Sequence, residues 1–300
     1  MPAKPVPPAK ASRVFARLAS IWHMAAHHWR GRRFCYKSAG RNTDLLILKL
    51  TIVPLALLLL GIADRLYGPR VAGWLAGFPV VAGPLLLFIT LDLGPVFGSA
   101  AALGAYFGLV PWLAFTLSYA ACAQRLAWPW CIAIAFTAWT VAAVACVLLQ
   151  DGPTWLIALP ALLMAAAILL YPRGTASGEK REHGKWGLAV RMVAGATLTG
   201  AITRFAATLG THWSGMFTTF PVMGSIICIS SHIQHGRQAV RDMVGGMTLG
   251  LTSVTCFCFV VYGLLPAAST WTAFGLALAA SFLAMALTGL LFRARDSKAA

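Results

Sequence analysis

Two Phe-Pro-Val elements, residues 78–80 and 220–222, interrupt long apolar stretches and are where this chain could do chemistry. Proline has no N–H, and its ring clashes with the carbonyl four residues back. Pro79 is therefore expected to free the carbonyl of Leu75, and Pro221 that of Phe217. Gly73 and Gly77 precede Phe78, while Gly215, Thr218 and Thr219 precede Phe220. These residues allow close approach or supply hydroxyls. Gly83 and Pro84 break the first copy again. Matched broken helices in two halves of a membrane protein point to a transporter's central site. The competing reading is a kinked, tightly packed helix crossing, because Gly and Pro are common in such helices.

The charged candidates are few. Lys49 and Arg191 each fall about five residues inside an apolar segment, and Arg204 is similarly close to a segment end. A basic residue at that depth, about 7 Å from the end at ~1.5 Å per residue, can line a solute path or snorkel to the surface. His232 closes the second Phe-Pro-Val segment, and His212 lies at its other end, so they cannot form one metal site unless that helix is broken or re-entrant. His23 and His27 have metal-compatible spacing on an exposed tail, which is weak evidence. All eight acids fall at segment edges or in loops. The chain thus offers no carboxylate inside a span for cation coupling, unless Asp92 is drawn in. No P-loop, zinc-protease or nucleophile-elbow pattern occurs, so neither an enzyme nor a cofactor or metal site is expected.

The elements that position these residues are two copies of one unit. Gly68/Gly210, Gly73/Gly215, Phe78/Phe220, Pro79/Pro221, Val80/Val222, Gly94/Gly236, Gly104/Gly246 and Gly108/Gly250 all recur at an ungapped offset of 142 residues. Lys49 falls opposite Arg191 at the same offset. A fixed period marks an internal repeat. The chain is 59% hydrophobic and only 11% charged, about half the charged fraction of a soluble domain. Nine apolar segments approach or exceed a spanning length of roughly 20 residues: 45–63, 71–91, 96–123, 128–149, 154–171, 187–209, 213–231, 239–264 and 269–292. Helices are the expected form, because backbone polar groups must be satisfied within lipid.

The expected fold is an all-α, polytopic transmembrane bundle of two related four-helix repeats. Residues 44–149 form the first repeat, 150–186 a linking helix and basic loop, 187–293 the second repeat and 294–300 a tail. Five segments separate the two starts, and an odd number inserts the copies upside down. Arg173, Lys180, Arg181 and Lys185, then Arg237 and Arg241, then Arg293, Arg295 and Lys298 fall on one side of the second repeat, which the positive-inside rule makes cytoplasmic. In the first repeat Arg65, Arg70 and Arg125 agree, but the basic amino-terminal tail then falls outside. That conflict leaves the side of the tail, and parallel against inverted repeats, open.

Residues 1–43 hold no acid, and Val14 to Trp29 place an apolar stripe among arginines. This reads as a basic amphipathic helix on anionic lipid, with an organelle transit peptide as the alternative. The seven cysteines lie mostly in apolar segments and read as packing residues. The positive charge is accounted for by loops and lipid contact, so nucleic acid is not expected as a partner.

The second repeat resembles the small GlpM-type inner-membrane proteins of bacteria and related membrane families. The resemblance rests on Arg191 early in a first span, Ser214-Gly215, Phe220-Pro221, His232, a charged linker from Arg237 to Asp242, and Gly245, Gly246 and Gly250. The first repeat keeps Lys49, Phe78-Pro79, Gly104 and Gly108 but has Thr90 in place of the histidine. This implies a bacterial inner-membrane address. The leading reading is a transporter or exporter of a small solute, with anions favoured over cations, and with Lys49, Phe78, Pro79, Arg191, Thr218, Thr219, Phe220, Pro221 and His232 as site candidates. The alternatives are a non-transporting scaffold or regulatory component that engages a partner through its basic tail, and a membrane enzyme acting on lipid. A homo-oligomer stays open.

Overall fold

The computed structural model describes residues 65–150, 153–170 and 219–296, with Leu55, residues 58–59 and 61–63, and Met216. The basic tail, most of segment 45–63, all of 187–209, and Lys49, Arg191 and Thr218 lie outside the described residues. Among the described residues every regular element is helical. They are α1 Pro69–Ala76, α2 Ala82–Leu93, α3 Pro95–Cys122, α4 Trp128–Gln150, a 3-10 turn Thr154–Ile157 leading into α5 Ala158–Leu170, α6 Val222–Leu264 and α7 Thr270–Asp296. Prolines open α1 and α3, at positions whose N–H would have no intrahelical acceptor anyway. Among the described residues, four stretches are long and apolar enough to cross a bilayer: Pro95–Cys122, Trp128–Leu149, Gly224–Leu264 and Thr270–Leu290. The protein is an integral membrane protein built from helices.

Helix α6 is not one rod. At Gly236 the backbone takes φ 80°, ψ −171°, a region that is essentially glycine-only. Trp112 of α3 lies against Gly224, and further along α3 the Tyr119 ring meets His232 edge-on at 6.0 Å. The first arm of α6, residues 222–235, therefore runs in the same direction as α3. The second arm, residues 237–264, runs the other way. At one end Gln124 Nε2 donates to the Arg237 carbonyl at 3.3 Å and Arg237 Nη1 donates to the Gln124 carbonyl at 2.9 Å. At the other end Ser99 Oγ donates to the Tyr262 carbonyl at 2.9 Å. The chain reverses at Gly236.

Gly94, at φ 88° and ψ 166°, makes the same reversal between α2 and α3. There Thr90 fills the space that a Cβ on Gly98 would need. Helix limits repeat at the 142-residue spacing. The two turning glycines stand at 94 and 236, the helices after them end at Cys122 and Leu264, and the next helices start at Trp128 and Thr270.

The antiparallel pair of α3 and the second arm of α6 forms the centre, and both are mostly buried. Helices α4 and α7 lie outside it. Trp130, Val141 and Leu148 on α4, and Phe282, Leu283 and Leu290 on α7, are exposed, as a lipid-facing surface requires. Ser253 and Ser281 exchange hydrogen bonds with each other's carbonyls at 3.1 Å, tying α6 to α7 by the polar contacts usual between membrane helices. Cys131, Cys146, Cys228 and Cys258 are buried as free thiols, in keeping with a packing role.

The expected segments are met unevenly. Segments 96–123, 128–149 and 269–292 appear as continuous helices. Segment 71–91 is two short helices, because Gly77-Phe78-Pro79 ends the first one. Residues 222–231 of segment 213–231 and all of segment 239–264 lie on the two arms of α6, on either side of Gly236. Segment 154–171 is a short helix led by a 3-10 turn. The arginines segregate by end. Arg70 lies beside Gly246, near the start of the second α6 arm, and Arg125, Arg237 and Arg241 cluster at that same end. Among the described residues, those at the opposite end, 94–98, 153–157 and 265–269, include no Lys or Arg.

Candidate functional site

The two helix breaks are built into the central pair from opposite halves of the chain. Helix α1 crosses the second α6 arm through glycine. A Cβ on Gly73 would strike the Met243 carbonyl, one on Gly77 the backbone of Gly250, and one on Gly246 the Arg70 carbonyl. Only glycine permits this backbone approach. The helix then stops. Gly77 N–H bonds the Trp74 carbonyl at 3.2 Å and Phe78 N–H the Leu75 carbonyl at 3.1 Å, before Pro79. The Leu75 carbonyl is thus satisfied by a tightened last turn, and the expectation that Pro79 would free it is corrected. Phe78 packs on Phe282 of α7 at 4.8 Å, and Trp74 Nε1 donates to Thr288 Oγ1 of α7 at 3.2 Å.

The second break mirrors this with the partners exchanged. Met216 and Thr219 lie against Gly108 of α3. Met216 stands 142 residues after Trp74, and Gly108 the same distance before Gly250. Thr219 is buried, and both its N–H and its hydroxyl donate to the Met216 carbonyl, at 3.2 and 2.9 Å. Phe220 packs on Trp139 at 4.7 Å and Phe136 at 5.7 Å, both on α4. Pro79 and Pro221 are both buried.

The depth of both breaks follows from the central pair. Ser99 meets Tyr262 and Gln124 meets Arg237, so the two helices cross symmetrically near Leu109 and Val110 on one and Leu251 and Thr252 on the other. Gly77 at Gly250 and Thr219 at Gly108 are then level with that crossing. Both breaks sit at mid-length of the spanning helices, about 20 Å from either end at ~1.5 Å per residue.

Of the expected site residues, Phe78, Pro79, Thr219, Phe220 and Pro221 lie at this level. His232 does not. It stands about one turn from the Arg-bearing end, with Nδ1 3.4 Å from the Tyr119 hydroxyl. The acids also need a correction. Asp242 was expected in a charged linker, but it lies inside α6, is only 6% exposed, and accepts a hydrogen bond from Gln238 Nε2 at 3.3 Å. The close α1 crossing covers it.

Two residues of the second break were not singled out from the sequence. Trp112 of α3 is 8% exposed, and its Nε1 has no hydrogen-bond partner among the described residues. Gly224 lies beneath that indole, three residues after Pro221. An indole N–H in the middle of a long apolar segment is a donor without water to satisfy it, and that signal was available. Comparison with protein-family models, with curated proteins and with solved structures finds no match.

Proposed function

We propose that the protein carries a small solute across the bacterial inner membrane, and that its two halves are inverted repeats related by an axis in the membrane plane. One observation carries this reading. Helix α1, ended by Gly77-Phe78-Pro79, and the described residues Met216 and Thr219–Pro221, each seated on a long helix of the other half, lie at the same mid-length level of an antiparallel central pair. Broken helices at the bilayer midplane, contributed by opposed repeats, are the arrangement in which transporters form solute sites. The antiparallel sense of residues 95–122 against 237–264 supports inversion over parallel repeats. The gathering of Arg70, Arg125, Arg237 and Arg241 at one end supports a cytoplasmic assignment for that end. Kinship with GlpM-like proteins belongs to the same proposal and rests on the Arg191 to Gly250 pattern.

The test is flux. The purified full chain in proteoliposomes is expected to pass at least one small solute from a panel of sodium chloride, nitrate, formate, glycerol and choline. A Phe78→Ala/Phe220→Ala variant that inserts normally is expected to change the rate or the selectivity. Liposomes as tight as protein-free ones to the whole panel reject the reading. Stoichiometric co-purification of another membrane protein, lost on deleting residues 1–40, would favour the scaffold instead.

A further inference from the structure

We propose that Trp112 and the mid-membrane start of the first α6 arm form a binding site for a small monovalent anion. The inference rests on the solute-carrier reading above and adds Trp112 and Gly224, which that reading did not use. The arm 222–235 begins at Val222, with Pro221 as its N-cap and no side-chain cap. Its first intrahelical bond at this end runs from the Ser225 N–H to the Pro221 carbonyl at 2.8 Å. The N–H groups of Val222, Met223 and Gly224 therefore point out of the helix end without intrahelical acceptors. They carry the positive end of the helix dipole, worth roughly half an elementary charge.

The second observation is independent. Trp112 Nε1 stands 3.0 Å from where a Cβ on Gly224 would lie, so the indole N–H is set against that same first turn. It is buried and has no acceptor among the described residues. A donor buried in lipid without a partner is costly, and so is an uncapped helix end. One acceptor placed between them satisfies both. Glycine at 224 is what lets the indole approach, and a methyl group there would crowd its nitrogen.

The donor chemistry fixes the class of ligand. Every convergent group described is an N–H donor, so the ligand accepts hydrogen bonds. The helix end favours negative charge. Half a charge from the dipole and neutral donors can offset one negative charge, whereas the cost of burying a dianion rises steeply. The site belongs to one half only. The position matching Trp112 in the second half is Val254, which has no donor, and the position matching Gly224 is Ala82.

The test reads the indole itself. The full chain, with nitrogen-labelled tryptophans, is placed in nanodiscs, and Trp112→Phe identifies the Trp112 signal by its absence. If Trp112→Phe does not fold, Gly224→Ala, which disturbs the same indole, supplies the assignment. Sodium chloride, nitrate and formate are titrated against sodium gluconate at constant ionic strength. The Trp112 indole proton is expected to move downfield and saturate with at least one small anion and to ignore gluconate. Gly224→Ala is expected to weaken that binding by about tenfold or more, the size of a lost hydrogen bond to a charged group. A Trp112 signal unmoved by all three anions overturns the proposal, even if the liposomes show flux. A saturable shift in a protein that passes no solute sustains the site and instead removes the carrier reading.

Discussion

Replacing Gly250 by Ala tests the crossing on which the first helix break depends. A Cβ at 250 would overlap the Trp74 carbonyl and lie 3.0 Å from the Gly77 Cα. Both obstacles are backbone, so no side chain can swing aside. Overpacking of this kind costs about 1–3 kcal/mol, and rigid neighbours place Gly250→Ala near the top of that range. Alanine returns up to about 1 kcal/mol of helix propensity, which leaves a net loss of about 2 kcal/mol. Gly263 is the control, since nothing lies within 4 Å of a Cβ there, so Gly263→Ala keeps the propensity gain alone. The two variants should differ by about 3 kcal/mol, roughly a hundredfold in unfolding constant. Gly108→Ala should fall between them. Its hardest contact is the Thr219 hydroxyl, which can rotate if it gives up its 2.9 Å bond to the Met216 carbonyl, while the Met216 backbone lies 3.2 Å away. Adding Thr219→Gly, which recreates the Gly77 arrangement, should relieve most of that strain. Reversible unfolding in mixed micelles with increasing dodecyl sulfate measures all four. Equal stability of Gly250→Ala and Gly263→Ala would refute the seating of α1 on α6.

Gly94→Ala and Gly236→Ala should each destabilise by about 1–3 kcal/mol in the same assay, because both hold glycine-only backbone at positive φ; a neutral result at either removes the chain reversal there. Single cysteines at Arg125 and Arg237, in a cysteine-free background, should react with an impermeant maleimide from one side of inverted vesicles, and cysteines at Trp155 and Ala267 from the other. A mixed pattern within either group contradicts the helix directions derived from the Gln124–Arg237 and Ser99–Tyr262 contacts. A peptide of residues 13–33 should bind vesicles containing anionic lipid and lose that binding as salt rises, as surface electrostatics require; equal binding to neutral vesicles counts against it. Lys49→Gln with Arg191→Gln should reduce anion flux in a stably inserted protein, and unchanged flux would mean that both residues snorkel.

The sequence made the spacing of the architecture legible because spacing is a one-dimensional property. Gly94 and Gly236 fall at the same offset as Pro79 and Pro221, and both adopt the same rare backbone. The helix breaks were legible for a related reason, since proline acts on its own neighbours. What escaped was three-dimensional. Nothing in the order of residues said that α1 would seat on the second half and Met216 on the first. Without that exchange, the burial of Asp242 and the meeting of Trp112 with Gly224 had no visible cause. The Leu75 carbonyl was misread because a local rule about proline does not say how the preceding turn will tighten. Thr219 was noted as a hydroxyl donor, but its bond is to its own helix end.

The exchange of broken helices also sets a timetable for synthesis. Gly77 is made 173 residues before Gly250, the backbone it must lie against. At about 5–20 residues per second, roughly 9–35 s pass before that surface exists. During that interval the glycine face of α1 has to be held by lipid or by the insertion machinery. Each half supplies the surface on which the other's break is seated, so a ribosome that stops after residue 186 leaves Gly108 without Met216 and Thr219 against it. A gene cut in the linker should still yield protein when both pieces are expressed together, and neither piece should accumulate alone.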